Sequence, residues 1–307
     1  MDLKDKIFMY EELKRNIDET RIWMDEPMSK HTSFKIGGAA SILANVVSHD
    51  EISHIINTAR AKDVPYYIVG NGSNLLVSDK GIKGIVIKIA DNLTDVKIEG
   101  NRVTASAGIL LSKLAHTISE QELTGFEFAS GIPGTLGGAI CMNAGAYDGE
   151  MKNCVTAVKV LAEDGKIYKY TNEEMDFGYR KSRVQKDNLI VLEVEMEFEK
   201  GSKDEILSYT KNLNQRRSDR QPLHLPNAGS TFKRPVGHFA GKLIDDAGLR
   251  GVRVGGAQVS EKHCGFVVNA GEATAKDVME LMSVVKKVVK DKYDVLLEPE
   301  VRMVGDF

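Results

Sequence analysis

The sequence lacks several features that mark whole classes of protein. It has only three cysteines in 307 residues, Cys141, Cys154 and Cys264, and their spacing fits neither a CxxC pair nor a zinc site. It has no large charge excess, since 41 basic residues stand against 44 acidic ones, and this argues against a general nucleic-acid or anionic-membrane binder. No apolar run approaches the roughly 20 residues that span a bilayer. We therefore expect a cytoplasmic protein with reduced thiols, no membrane segment, no bound metal and no obligate protein partner.

One internal stretch lacks charge altogether. Residues 130–147, SGIPGTLGGAICMNAGAY, carry no charged side chain although 28% of the chain is charged, and they include five glycines. Gly131 and Gly134 precede a helical pattern, Pro133 stiffens the turn, and Thr135 is a candidate helix cap. The pattern is typical of an anion-binding nest that runs into a helix N-terminus. A Gly/Ala-rich helix buried against a sheet is the alternative.

A second glycine-rich loop, VGNGSNLLV (69–77), follows a predicted strand. Its small residues let backbone N–H groups point toward an anion. Leu75 stands where a dinucleotide fingerprint has its third glycine, and no GK[ST] follows as in a P-loop. For this loop alone, an ordinary strand-to-strand turn is an equal alternative. Two such loops without a lysine indicate one extended, doubly charged ligand held by the backbone, and FAD fits this better than a mononucleotide.

The order of the predicted elements indicates an α+β architecture. The predicted helices cover 3–22, 50–62 (with Asp50 as N-cap), 110–121, 203–220, 242–247 and 274–292. The predicted strands cover 41–47, 65–70, 75–79, 84–90, 188–200, 265–271 and 294–304, and two hairpins turn at Gly100–Asn101 and Asp164–Gly165. A GGAQ loop lies at 255–258.

Taken together, the motifs resemble one known family. The loops VGNGSNLLV and SGIPGTLGGAICMNAGAY are similar to those of UDP-N-acetylenolpyruvoylglucosamine reductase (MurB), a flavoenzyme of peptidoglycan precursor synthesis. The same holds, in the expected order, for TSFKIGGAA (32–40), YRKSR (179–183), NAGSTFKRP (227–235), GGAQVSEKHCGFVVN (255–269) and LEPEVRMVG (297–305). The resemblance covers nearly the whole chain. It is to the shorter, type II class, because the segment after Tyr179 has no room for the tyrosine-bearing insertion of the longer class.

The resemblance implies an FAD-binding fold of the vanillyl-alcohol oxidase (PCMH) type, with an α/β lobe, an antiparallel β lobe and a C-terminal α+β substrate-binding domain. The implied divisions are 1–97 for the N-terminal helix and first lobe, 98–200 for the second lobe, 201–293 for the substrate-binding domain, and 294–307 for a strand that returns to the active site. The implied reactants are NADPH as hydride donor and a UDP-sugar substrate. FAD is expected to be non-covalent, because GNGSN contains no histidine; the nearest in sequence, His31, is interpreted as an exposed loop residue.

The same resemblance implies the site residues, position by position. The implied cofactor-binding residues are Gly70, Asn71, Gly72, Ser73, Asn74, Ser130, Gly131, Ile132, Pro133, Gly134, Thr135, Gly137, Gly138, Ala139 and Arg217. The implied substrate-binding residues are Asn143, Tyr147, Tyr179, Asn227, Lys233, Gln258 and Arg302. A solvated surface residue is the alternative for Asn143, Tyr147, Asn227, Lys233, Gln258 and Arg217, and a charged strand edge is the alternative for the segment with Glu300 and Arg302.

Three catalytic residues are implied by the family motifs: Ser230 as proton donor, Arg180 as the cation near the flavin and the substrate carboxylate, and Glu300. Local sequence alone also allows Ser230 to satisfy a turn and Arg180 to lie in a solvated basic turn. A strand over 296–302 would place Glu298 and Glu300 on one face, so alternation does not choose between the two carboxylates.

Two other functions share part of this pattern. A flavin oxidase that passes electrons to O2 would use the same FAD domain, but it would not explain the serine, arginine and glutamate in matching motifs. A non-catalytic FAD- or nucleotide-binding module would have no need of Ser230 or Glu300.

Overall fold

The computed structural model describes residues 1–90 and 92–307, and it has the mixed α+β content that the sequence predicts. The α-helices are α1 Leu3–Leu13, α2 His49–Ala61, α3 Leu111–Glu120, α4 Leu136–Met142, α5 Arg183–Lys186, α6 Lys203–Arg220, α7 Ala240–Asp246 and α8 Ala275–Tyr293. The strands are β1 Ile22–Pro27, β2 Ala39–Asn45, β3 Tyr66–Val69, β4 Leu75–Val77, β5 Ile82–Lys88, β6 Val96–Glu99, β7 Arg102–Ser106, β8 Leu123–Thr124, β9 Gly145–Ala146, β10 Gly149–Glu150, β11 Val155–Leu161, β12 Ile167–Thr171, β13 Ile190–Glu197, β14 Glu199–Lys200, β15 Arg253–Val254, β16 Ala257–Val259, β17 Val267–Asn269 and β18 Arg302–Val304.

The chain forms two compact units, each with its own hydrophobic core. The first unit comprises Met1–Trp23, Ile42–Asn71 and Ile85–Arg217, and the second comprises Met24–Ser41, Gly72–Gly84 and Ser218–Phe307. Apolar side chains that alternate along strands or repeat along helix faces fill both cores.

The first unit contains an antiparallel five-stranded sheet in the order β12-β11-β13-β7-β6. Both predicted hairpins are present, since β6 pairs with β7 across the turn at Gly100–Asn101 and β11 pairs with β12 around Asp164–Gly165. Gly100 and Gly165 both adopt positive φ, as tight hairpin turns require. Val158 and Val194, opposite each other on β11 and β13, are both buried and belong to the core.

Two helix ends in the first unit differ from the prediction. Ser48, not Asp50, is the N-cap of α2: its side chain accepts a hydrogen bond from Glu51 N at 3.2 Å, and Asp50 lies in the first turn. The N-terminal helix stops at Leu13 rather than at Ile22, and a short 3-10 turn capped by Asp18 leads into β1.

A second sheet has the strand order β1-β2-β5-β3, and β3 runs parallel to β5.

The second unit packs α7 and α8 with the antiparallel sheet β15-β16-β17. The predicted GGAQ loop is the β15–β16 hairpin, in which Gly255 and Gly256 form the turn and Gln258 belongs to β16. The predicted C-terminal strand is much shorter than 294–304, because only Arg302–Val304 forms a ladder, parallel to β4. Pro299 has no N–H to donate, and it makes only an isolated bridge with Phe232.

In the part of the chain that the structure describes, no helix combines the length and the apolar character needed to cross a membrane.

Candidate active site

The two glycine-rich loops meet within the first unit. Thr135 caps α4, its Oγ1 accepting a hydrogen bond from Gly138 N at 3.3 Å, as the sequence predicts. Asn71 Nδ2 donates to the carbonyl of Pro133 at 2.6 Å, and a Cβ added to Gly70 would collide with Thr135 Oγ1. The backbone at Gly70 therefore approaches the start of α4 so closely that glycine is required there.

Arg217 lies beside the first turn of the charge-free stretch. A Cβ added to Gly131 would lie 2.8 Å from Asn214 Oδ1 and 3.0 Å from Arg217 Cδ. Burial lowers the pKa of the Arg217 guanidinium, and among the described residues no carboxylate forms an ion pair with it. A largely dehydrated cation next to a glycine-lined loop suits an anionic ligand such as a pyrophosphate. The residues present thus fit the dinucleotide that the sequence implies.

The remainder of the first glycine loop belongs to the second unit, where it is tied to the segment that carries Glu300. Asn74 Nδ2 donates to the carbonyl of Glu300 at 3.2 Å, and Arg302 N donates to the carbonyl of Asn74 at 2.9 Å. Gly72 has φ of +62°, and a side chain there would collide with the His31 carbonyl. The interpretation of His31 as an exposed residue is wrong, because its ring contacts Glu26 Oε1 at 3.0 Å and its side chain is only 15% exposed.

Ser230 and Glu300 lie on two segments that run antiparallel in the second unit. Glu300 N donates to the carbonyl of Thr231, the neighbour of Ser230, at 2.9 Å. The next hydrogen bond between the two segments joins Lys233 N to the carbonyl of Glu298, at 2.8 Å. The structure therefore brings together two motifs that are 70 positions apart in the sequence.

The structure also distinguishes the two carboxylates that alternation leaves equivalent. Glu298 is 72% exposed, and its carboxylate forms an ion pair with Lys233 Nζ at 3.2 Å. Glu300 is partly buried, and its backbone is held on two sides, by Thr231 and by Asn74. The two carboxylates therefore differ in exposure and in partners, and the assignment of the catalytic role to Glu300 remains a prediction.

Arg180 is the third residue of a tight turn in the first unit. Gly178 and Lys181 exchange two backbone hydrogen bonds, at 3.1 and 3.2 Å, so that Tyr179 and Arg180 form the turn itself. Arg180 has φ of +56°, a position that favours glycine or asparagine. The guanidinium carbon lies 5.1 Å from the centroid of the exposed Tyr179 ring.

Several predicted substrate-binding side chains make hydrogen bonds inside the protein. Asn143 is 1% exposed and bonds to Glu150, Gly178 and Lys152. Asn227 bonds to the backbone of residues 222, 225 and 229, and Gln258 bonds to Gly251, Arg253 and Glu261. The Arg216 guanidinium stacks over the ring of Tyr147, with its carbon 4.9 Å from the ring centroid. The assignments of these residues to the substrate remain predictions.

Comparisons with known proteins identify the family. A model described as FAD binding domain matches residues 40–171, and a model described as UDP-N-acetylenolpyruvoylglucosamine reductase, C-terminal domain, matches residues 221–304. The UDP-N-acetylenolpyruvoylglucosamine reductase of Alkaliphilus oremlandii is 54% identical over 302 residues, 98% of this chain and 99% of that protein. The chain belongs to the UDP-N-acetylenolpyruvoylglucosamine reductase family. The reductase of Clostridioides difficile is 50% identical, with 97% and 98% of the two chains covered.

Solved structures support both the family and its fold. The UDP-N-acetylenolpyruvylglucosamine reductase (MurB) of Thermus caldophilus has a TM-score of 0.79 and 36% identity, over 92% of this chain and 98% of that one. A 4-ethylphenol oxidase of Gulosibacter chungangensis has a TM-score of 0.51 at 12% identity, over 65% of this chain and 44% of that one, a likeness of fold alone. The reductase family and the FAD-binding fold expected from the motifs are confirmed.

Proposed function

We propose that the chain catalyses the NADPH-dependent, FAD-mediated reduction of the enolpyruvyl group of UDP-N-acetylglucosamine enolpyruvate, which gives UDP-N-acetylmuramate for peptidoglycan precursor synthesis. One observation carries this function: relatives that are half identical over nearly the full length have the reductase name, and both the FAD-binding and the reductase C-terminal models match. The reactants are small molecules. We infer that the reaction takes place in the cytoplasm, where NADPH and UDP-sugars are made.

The backbone of the two glycine-rich loops, Gly70–Asn74 and Ser130–Ala139, holds the FAD in this proposal. The capped start of α4 supplies N–H groups, and Arg217 supplies a positive charge for the pyrophosphate. When bound, FAD would supply the hydride-transfer chemistry between NADPH and the substrate. The protein contributes binding, orientation and electrostatic stabilisation.

The proposed chemistry of the side chains follows from where charge develops. Addition of a hydride to one alkene carbon builds negative charge on its neighbour, and this charge is delocalised into the substrate carboxylate. Arg180 stabilises that charge, because a guanidinium stays protonated and offers paired donors to a carboxylate. The Ser230 hydroxyl gives its proton to the carbanionic carbon, with Glu300 as the third catalytic residue and Arg302 as a further partner of the carboxylate.

The role of Ser230 is tested by separating the two half-reactions. In Ser230→Ala, NADPH should bleach the flavin as fast as in the wild type, while reoxidation by the enolpyruvyl sugar nucleotide should slow by about 100-fold or more, since general acid catalysis contributes about 10²–10⁴. Stopped-flow absorbance at the flavin bands measures both halves.

The matched control is Ser208→Ala, which removes an exposed hydroxyl from α6. Equal slowing of both half-reactions in Ser230→Ala, or an unchanged second half-reaction, would exclude Ser230 as the proton donor. Oxidation of the reduced enzyme by air, but not by the enolpyruvyl substrate, would contradict the reductase function itself.

A further inference from the structure

The C-terminal end of α4 is bonded to the segment that carries Arg180. The Ser182 hydroxyl donates to the carbonyl of Cys141 at 2.9 Å, and Gln185 Nε2 donates to the same carbonyl at 2.6 Å. Asn143, the C-cap residue directly after α4, donates from Nδ2 to the carbonyl of Gly178 at 3.2 Å. Backbone carbonyls in the last turn of a helix lack helical partners, so Ser182 and Gln185 satisfy the Cys141 carbonyl.

Gln185 is the residue that connects the helix with Arg180 directly. Its Nε2 lies 3.2 Å from the carbonyl of Arg180 and 3.4 Å from Met142 Sδ, in addition to its bond with Cys141. One amide group therefore joins the end of α4 to the backbone of the proposed catalytic arginine. A carboxylate or a hydrocarbon of the same length does not supply these donors at neutral pH.

The backbone conformation of Arg180 explains why the turn needs these hydrogen bonds. A left-handed φ of +56° is unfavourable for a residue with a Cβ, and such strain persists only where the surroundings fix it. Two side-chain bonds hold the turn: Asn143, directly after α4, donates to Gly178, and Gln185 of α5 donates to Arg180 itself. An arginine that stabilises developing charge must be fixed closely, since a misplacement of about 1 Å costs about 100-fold in rate.

We propose that Gln185 is a positioning residue for Arg180, and that α4 links the two functions at its ends. The N-terminal end carries Thr135 and the cofactor loop, and the C-terminal end fixes the turn of Arg180. This inference rests on the catalytic role of Arg180 in the proposed function. Gln185 acts only through Arg180 and contacts neither substrate nor cofactor in this assignment.

Gln185→Leu removes the amide donors and keeps a side chain of similar bulk. The expected result is a second half-reaction slowed about 10- to 100-fold, with normal FAD content and a normal rate of flavin bleaching by NADPH. The matched control is Asn172→Ala, which removes another amide of the first unit, one that donates to the carbonyls of Lys152 and Val155. The control should keep both half-reactions within about twofold of the wild type.

Gln185→Glu adds a pH profile that simple destabilisation does not produce. A protonated carboxylic acid can donate to the Arg180 or Cys141 carbonyl, whereas a carboxylate repels both. The second half-reaction of Gln185→Glu, relative to the wild type at each pH, should therefore recover as the pH falls. A flat ratio across pH 4–9, a range that includes the ordinary pKa of a glutamic acid at about 4.3, would contradict the proposal.

A double-mutant cycle with Arg180→Ala separates this inference from the proposed function. Gln185→Leu should slow the second half-reaction in the wild-type background and have little effect once Arg180 is absent. The same fold-loss in both backgrounds, or no loss in the wild type, would overturn the positioning role. If Arg180→Ala alone leaves the second half-reaction unchanged, the catalytic assignment of Arg180 fails instead. Should Gln185→Leu not fold, Gln185→Glu takes its place in the cycle with the same outcomes.

Discussion

At the scale of single residues, two glycines of the charge-free stretch, Gly131 and Gly138, have different surroundings. At Gly131, a Cβ would lie 2.8 Å from Asn214 Oδ1 and 3.0 Å from Arg217 Cδ, so these two side chains would have to shift. At Gly138, in contrast, a Cβ would lie 3.4 Å from Thr135 Oγ1, an ordinary van der Waals distance, and a helix prefers alanine. The protein alone gives no reason for glycine at 138, so a ligand that approaches the helix backbone is the better explanation.

Gly138→Ala should therefore change stability and cofactor binding in opposite directions. We expect the FAD-free protein to be as stable as the wild type or more stable by up to about 1 kcal/mol, from helix propensity. We expect the dissociation constant for FAD to rise about tenfold or more. Urea unfolding measures the first quantity and a fluorescence titration with FAD the second. Gly131→Ala is the comparison, and it should lower both the stability of the FAD-free protein and the affinity for FAD. Unweakened FAD binding by Gly138→Ala would remove this glycine from the cofactor site.

At the scale of elements, α8 shows how one helix end is fixed from two parts of the chain. Thr274 and Asp277 form a reciprocal capping box, and the carboxylate of Asp79 accepts from Ala275 N and Lys276 N at 2.8 and 3.0 Å. The hydrogen bond from Thr274 N lowers the pKa of Asp277, and the bond from Gly256 N lowers it further against the opposing effect of burial. The ionised form of Asp277 therefore stabilises the folded state.

The contribution of the Asp277 carboxylate to the free energy of unfolding should decrease at acidic pH. Because its pKa is lower in the folded than in the unfolded chain, its contribution is complete above the unfolded pKa of about 4 and is lost as the pH falls through the folded value. Asp277→Asn should lower the free energy of unfolding by about 0.5–1 kcal/mol at pH 7, and the difference from the wild type should shrink toward pH 3. Urea unfolding across pH 3–7 tests this, with the exposed Asp291→Asn as control. A difference that stays constant with pH would show that the carboxylate charge is not responsible.

The elements that could be predicted from the sequence are those that neighbouring residues determine. The hairpins at Gly100 and Gly165 follow from turn residues between alternating strands, and α6 follows from a polar helical run with no breaker. The start of α2 was predicted two residues late, because Ser48 and Asp50 are both good caps; the structure uses Ser48, which stands three residues before Glu51 in an S-x-x-E pattern. The short C-terminal strand depends on a parallel partner, β4, more than 200 positions earlier.

The same division applies to the candidate site. The glycine loops and the cap at Thr135 could be predicted, because close backbone approach and capping select particular residue types. The bonds of Gln185 to Cys141 and Arg180 could not, since a glutamine just beyond the YRKSR motif has no local signature. Its function depends on a tertiary contact with the end of α4.

At the scale of the whole molecule, a bound cofactor affects stability as well as chemistry. The proposed cofactor residues Gly70 and Asn71 and the loop before α4 belong to the first compact unit. A ligand that binds only the folded protein adds its binding free energy to the stability of the segments it contacts. FAD should therefore contribute to the stability of the segments that bind it as well as to the chemistry.

Removal and return of FAD should reveal this contribution and the non-covalent attachment together. Denaturation of the purified protein should release all of the yellow colour into the supernatant, because GNGSN offers no histidine and the ring of His31 is engaged with Glu26. Addition of FAD at 100 times its dissociation constant should stabilise the FAD-free protein by about 2.7 kcal/mol, with a matching rise in the midpoint of thermal unfolding. AMP, which has no isoalloxazine, is the control and should give a much smaller rise. A precipitate that stays yellow would establish a covalent link, and a midpoint that does not respond to FAD would contradict the proposed cofactor.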